Sequence, residues 1–417
     1  MQEAKITLAG SEHSVSLVTG SEGEVGLDIS KFRASTKAVM LDPGYGNTGS
    51  CQSAITFING EEGILRHRGY AIEDLAENIC FEEMMYLLIW GELPTSAELD
   101  SFRSKLIEHS SLPSQIGQQF DALPQNIHPM ASLSSIVTTL SAHYPTGPDR
   151  DVDIIRLLAK FKALVACGYR RATGQEFIAP EPGSTRSYVG DFLHMMYGEV
   201  DPVVEKALDK ILILHADHEQ NCSASTVRMV GSSQANLYAT ISAGISALSG
   251  PLHGGANQKV IEMLEEIIGA GGDVQAFVEK SKDKSSGFKL MGFGHRVYKN
   301  FDPRARIIQK SATEVLDGMG VDDPALDVAR ALEVAAREDS FFVNRRLYPN
   351  VDFYSGIVYR ALGVPTDMFT AMFALGRLPG WIAQWKELRD DPTSRIHRPR
   401  QVYVGENVRA VPSLSDR

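Results

Sequence analysis

The chain runs to 417 residues, longer than one compact core usually grows, so two or three domains are expected. Its composition, 43% hydrophobic and 22% charged, is that of an ordinary globular protein and excludes disordered and fibrous classes. A formal charge of −11 argues against a nucleic-acid partner, which would call for a basic footprint, and requires any anion site to be built locally from placed arginines.

The cysteines, Cys51, Cys80, Cys167 and Cys222, are widely spaced and form no CxxC pair. Idle thiols in a reducing cytosol fit that spacing better than a disulfide framework or a zinc site. The N-terminus carries Glu3 early and lacks the apolar run of a signal peptide. No stretch has the length to span a bilayer, and the run from Tyr238 to Leu248, broken by Thr and Ser, reads as a buried helix. A cytoplasmic location is expected.

Residues 1–50 alternate apolar and polar positions in short runs (Ile6 and Leu8, Val15 and Leu17, Val25, Leu27 and Ile29) with Gly-Ser breaks between them, the pattern of small hairpins. From Cys51 onward the period changes. Apolar residues at three- and four-residue spacing predict helices over Tyr70–Trp90, Ser96–Glu108, Met130–Leu140, Val152–Tyr169 and Lys206–Ala216. The same spacing predicts Lys259–Ile268, Ile307–Met319 and Pro324–Arg337, and a nearly all-apolar, buried helix over Asp367–Trp385. The 145–151 and 179–186 segments are loops between helices. No βαβ alternation is present, so a mainly α protein with a small β-rich N-terminal region is expected.

Several stretches stand apart from this background. His215 and His218, at i and i+3 beside Asp217 and Glu219, are expected on one helix face, as a structural pair or as part of a metal site. His253 lies in Gly250–Asn257 just before a helix, where the positive end of the dipole disfavours imidazolium. It is either a capping histidine or a neutral donor for a developing oxyanion. Leu290 to Arg304, LMGFGHRVYKNFDPR, packs Gly292, Gly294, His295, Arg296, Lys299 and Arg304 into fifteen residues. Backbone N–H groups freed at its glycines would form a concavity suited to phosphate, and Asp302-Pro303 reads as the start of a helix. The alternative is a Gly-rich turn with surface charges. Asp352 opens a helix through Ile357 and Tyr359, as an N-cap or as a base at a cleft edge. Arg377 is the one charged residue between Asp367 and Lys386, so it needs an anionic partner, from a distant acid or from a ligand. With Arg304, Arg398 and Arg400 it offers forks for carboxylates.

Taken together, LHADHEQN (214–221), GPLHGGAN (250–257), LMGFGHRVYKNFDPRA (290–305), YPNVDFYSG (348–356) and RPRQVYVG (398–405) resemble the citrate synthases, in that family's order and over most of the chain. The β-rich N-terminus resembles the longer bacterial type, which forms hexamers built as trimers of dimers. The resemblance implies a large helical domain (51–258 and 366–417) and a small one (259–365), with the active site in the cleft and residues 1–50 as the β-rich region. It implies condensation of acetyl-CoA with oxaloacetate and water to citrate and CoA, with no metal and no cofactor. His253 would stabilise the enolate, Asp352 remove the methyl proton, and His295 polarise the oxaloacetate carbonyl. His218, Arg304 and Arg377 would hold oxaloacetate, joined by Arg398 from the neighbouring subunit of a homodimer. Leu252, Met291, Gly292, Phe293, Gly294, Lys299 and Asn350 would contact CoA. The same motifs fit a 2-methylcitrate synthase using propionyl-CoA. A non-catalytic ligand-sensing oligomer would need only the arginines, so the presence of His253, His295 and Asp352 counts against it. A metal-dependent hydrolase using His215 and His218 is a remoter alternative.

Overall fold

The computed structural model describes residues 2–145, 147–295 and 297–417. Arg296, counted among the cationic groups above, and Thr146, in the 145–151 loop, lie outside the described residues. Contacts divide the chain into two units, residues 1–52 with 397–417, and residues 53–396.

In the first unit the alternating pattern does what it should. β1 (Glu3–Leu8), β2 (Ser11–Thr19) and β3 (Val25–Asp28) form an antiparallel sheet in that order, with Ala4 opposite Val15 and Leu17 opposite Leu27. Its buried apolar side chains include Val15 and Phe32, and the His13 ring meets Phe32 edge-on at 6.0 Å. Residues 397–417 carry no regular structure beyond one turn at Leu414–Asp416, and Arg398 is exposed there.

The second unit is helical, with one departure from expectation. β4 (Thr56–Asn59), β5 (Ile64–His67) and β6 (Tyr70–Ala71) make a second small antiparallel sheet. Its alternation is disguised because a buried position is taken by a histidine, His67. The single helix expected over Tyr70–Trp90 is therefore corrected to β6 followed by Ile72–Asn78 and Phe81–Trp90. The break falls where Glu83 accepts from the Cys80 N–H (2.8 Å) and Asp209 from the Phe81 N–H (3.1 Å), starting a new helix. The other expected helices are present and run a few residues longer: Pro129–His143, Arg150–Ala172, Pro202–His215, Ala256–Gly269 and Pro303–Met319 among them.

At the centre runs Phe369–Asp390, buried on nearly every side from Phe369 to Trp385 as its all-round apolar sequence requires. It packs on Cys222–Gly231, Pro202–His215, Phe81–Trp90 and Leu237–Leu248. One glycine sets how closely. A Cβ on Gly380 would stand 2.2 Å from Ala216 O and 2.6 Å from Asp217 Oδ1, and the Gly380 N–H donates to Ala216 O (3.1 Å). Only glycine lets the chain at 215–218 lie against the central helix, and that contact fixes where His215, Asp217 and His218 sit. No helix among the described residues is long and apolar enough to cross a membrane.

Candidate active site

The Pro202–His215 helix ends at His215, so His218 lies in the following turn and the two histidines do not share a helix face. The expectation of a paired face fails because Ala216 is already the C-cap. His215 turns into the core, its Nδ1 bonded to Ile211 O (2.7 Å) and its ring edge-on to Phe373. His218 turns the other way, with its Nε2 3.2 Å from the Tyr298 hydroxyl and its ring 5.2 Å from that of His295.

His295 has a fixed tautomer. The N–H groups of Val297 (3.0 Å) and Tyr298 (3.3 Å) both donate to its Nδ1, so the proton of the neutral ring is on Nε2. Burial, with Arg304 nearby, pushes its pKa down to about 4, and His218 is held well below the usual histidine range by burial and the same arginine. At neutral pH both rings are uncharged, and His295 is a hydrogen-bond donor.

Arg304 is buried and forked onto Asp302, Nε to Oδ1 at 3.0 Å and Nη2 to Oδ2 at 2.9 Å. Asp302 caps Pro303–Met319, the helix start expected of Asp302-Pro303, by accepting from the Arg304 N–H (3.1 Å). It also accepts from the Val351 N–H (3.1 Å), tying the starts of two helices to one guanidinium. The Asp-x-Arg spacing at a proline-initiated helix was the signal that could have found this role.

Arg377 is buried. Its Nε donates to His215 O (2.6 Å) and its guanidinium faces Phe373 at 4.9 Å, while Nη1 is buried with no hydrogen-bond partner among the described residues. Burial lowers its pKa to about 10, with Asp217 opposing. A buried donor left open in this way is suited to a ligand carboxylate.

His253 sits two residues before Gly255, the N-cap of Ala256–Gly269, yet a different helix orients it. The N–H of Ser223, in the first turn of Cys222–Gly231, donates to His253 Nε2 (3.2 Å), and the Ser223 hydroxyl is 2.9 Å from the same nitrogen. The proton of the neutral ring is therefore on Nδ1. Burial and the charge of Arg377 lower its pKa to about 4. Ser223, itself contacted by the Trp381 indole N–H at 2.9 Å, carries no sequence signal that marks it as the histidine's partner.

Asp352 is not the N-cap of its helix. Asn350 caps Val351–Ala361, accepting from the Asp352 N–H (3.0 Å), which leaves Asp352 in the first turn with its carboxylate uncommitted to capping. Burial raises its pKa to about 6 against the lowering effect of Arg304. It is half-buried.

The glycine loop at 291–294 departs from expectation in one respect. Gly292 and Gly294 do have positive φ, 77° and 79°. Their surroundings, however, are protein: a Cβ on Gly292 would meet Val260 at 2.8 Å and Phe353 at 3.0 Å. The loop is stitched to 348–350 by Gly294 N–H to Tyr348 O (2.8 Å), Asn350 N–H to Gly292 O (2.8 Å) and Asn350 Nδ2 to Gly294 O (2.9 Å). The Met291 N–H is directed at Met263 Sδ. Two of the donors expected to face phosphate are thus spent inside the fold, and packing, not anion approach, accounts for Gly292. Phe293 packs edge-on to Phe353, Lys299 is exposed, and Leu252 stands fully in solvent. Arg398 belongs to the other unit and is described there. Among the described residues no group of three or more His, Cys, Asp or Glu side chains could hold a metal.

The side chains described offer guanidinium donors, neutral imidazole N–H donors and a carboxylate not committed to capping. Residues 44–400 match the family model described as citrate synthase, C-terminal domain. Over 414 residues the chain is 50% identical to citrate synthase 1 of Mycobacterium tuberculosis, covering 96% of each. It is 48% identical to the citrate synthase of Corynebacterium glutamicum over 428 residues, covering 100% of this chain and 97% of that one. Among solved structures, the ternary complex of a Thermoplasma acidophilum citrate synthase with carboxymethyl coenzyme A and oxaloacetate matches with a TM-score of 0.83 at 30% identity, covering 91% of this chain and all of that one. The Pyrobaculum aerophilum citrate synthase matches with a TM-score of 0.79 at 32% identity over 100% of both chains.

Proposed function

The chain belongs to the citrate synthase family of acyltransferases, and from that premise we propose that it condenses acetyl-CoA with oxaloacetate and water to give citrate and free CoA. The observation that carries the mechanism is the locking of two neutral histidines by main-chain N–H groups, which leaves His253 Nδ1 and His295 Nε2 as proton-bearing donors. Arg304, Arg377 and His218 hold the two carboxylates of oxaloacetate and orient its carbonyl toward His295. Asp352 takes a proton from the acetyl methyl while His253 donates to the oxygen of the forming enolate. Both are needed, since a carboxylate cannot deprotonate a thioester methyl unless the charge is stabilised as it appears. The carbanion attacks the polarised carbonyl, His295 hydrogen-bonds the resulting alkoxide, and water cleaves the thioester.

In the same proposal, residues 51–258 and 366–417 form a large domain, 259–365 a small one, and the substrates lie between them. Leu252, the 291–294 loop, Lys299 and Asn350 contact CoA. Arg398 is donated by the second subunit of a homodimer, and the enzyme works in the cytoplasm. Histidine and arginine supply the electrophilic help, so the mechanism calls for no metal and no cofactor.

Release of free thiol from acetyl-CoA and from propionyl-CoA, each with and without oxaloacetate, tests this. Oxaloacetate-dependent release that is faster with acetyl-CoA is expected. Preference for propionyl-CoA would make the chain a 2-methylcitrate synthase. Oxaloacetate binding without thiol release from either would make it a sensor.

A further inference from the structure

The core holds a chain of three side chains with no part in the mechanism above. The Thr56 hydroxyl is 2.6 Å from Asp217 Oδ2 and 2.8 Å from His67 Nδ1. All three groups belong to different elements: Thr56 to β4, His67 to β5, and Asp217 to the turn that Gly380 admits against the central helix. His67 and Asp217 are fully buried, and His67 Nε2 and Asp217 Oδ1 have no hydrogen-bond partner among the described residues. Burial first, then the charges of Arg304 and Arg377, push the His67 pKa down to about 3, so the ring is neutral. Burial raises the Asp217 pKa, the charge of Arg377 opposes this, and the carboxylate accepts from the Glu219 N–H (3.1 Å).

We propose that Asp217, Thr56 and His67 form a proton relay coupled to dicarboxylate binding, resting on the function proposed above. With Asp217 ionised, Thr56 donates to its Oδ2, His67 Nδ1–H donates to Thr56, and Nε2 carries a lone pair. Arg377 is then the nearby counter-charge for Asp217. When a dianion takes Arg377 and Arg304, that counter-charge is neutralised and a buried carboxylate becomes costly. One proton from solvent then enters at His67 Nε2. The Nδ1 proton passes to Thr56, and the Thr56 proton passes to Asp217. One proton is gained, no bond between heavy atoms changes, and Nε2 becomes a donor. Burial already raises the Asp217 pKa, which favours this direction.

Isothermal titration of the full chain with oxaloacetate at pH 7.5, in phosphate and in Tris, reads the protons exchanged from the difference in heat. Uptake of about one proton per site is expected in the wild type. It should persist in Asp352→Asn and fall to near zero in Thr56→Val, which preserves shape and removes the hydroxyl. Asp217→Asn, already neutral, should also lose the uptake and serves if Thr56→Val melts early. Binding heat with no buffer dependence in the wild type overturns the relay and leaves the citrate synthase function standing. So does uptake that survives in Thr56→Val or disappears in Asp352→Asn. No binding heat at all overturns both.

Discussion

Asp352 sits in the first turn of its helix beside Arg304, and burial sets its pKa near 6. Because Asn350 holds the cap, Asp352→Asn should leave the fold and oxaloacetate affinity nearly intact while kcat falls by roughly 10²–10⁴-fold. Activity within a few-fold of wild type would remove Asp352 from the role of base. The raised pKa has two further consequences with definite signs. A base must be ionised, so kcat/KM should decline as pH drops through about 6, and a rate profile flat from pH 5 to 8 would contradict this. In stability the sign is opposite: between the ordinary carboxylate value and 6 the native state binds more protons than the unfolded chain, so stability is lost as pH rises through that window. Asp352→Asn removes the cost, and its melting temperature should exceed that of wild type at pH 8 but not at pH 4.

The elements meet through their first turns. Asn350 does two things at once, capping Val351–Ala361 and donating from Nδ2 to Gly294 O, so it couples the helix bearing Asp352 to the 291–294 loop. Asn350→Ala should cost about 1 kcal/mol through the cap. Asn350→Ser keeps the cap oxygen but is too short to reach Gly294. It should recover most of the lost stability and still show a raised KM for the acyl thioester. Equal KM values for wild type and the serine variant would mean that the loop is held by its main-chain bonds alone.

For the whole molecule, the proposed capture of one small dianion by cations from separate elements predicts a motion. Arg304 begins one helix and Arg377 lies within another, and oxaloacetate bridging them should close the proposed cleft and exclude water before acetyl-CoA is activated. Hydrogen exchange over 290–305 and 348–361 should slow on saturation with oxaloacetate; unchanged protection there would argue against closure. Sharing of Arg398 between subunits has a separate test. A hybrid of one Arg398→Ala subunit and one Asp352→Ala subunit contains one complete site if the arginine acts across the dimer, so about half of the wild-type activity per dimer should return. An inactive hybrid would mean that Arg398 serves its own chain.

Periodicity and residue chemistry, read from the sequence alone, settled the mainly α class, the hairpins before residue 50, the buried central helix and the short stretches in which His253, His295, Arg304, Asp352 and Arg377 lie. Those features are local, because side-chain spacing along a helix or strand and the cost of an unpaired buried charge need no knowledge of distant neighbours. The sheet of β4–β6 was hidden because its alternation passes through His67, whose buried ring is bonded to Thr56 and through it linked to Asp217, far along the chain. The same limit hid which helix orients His253 and why Gly292 must be glycine. Each was decided by a contact between segments far apart in the chain. A hydrogen bond or a close approach of that kind is fixed by packing, and packing leaves no period in the sequence.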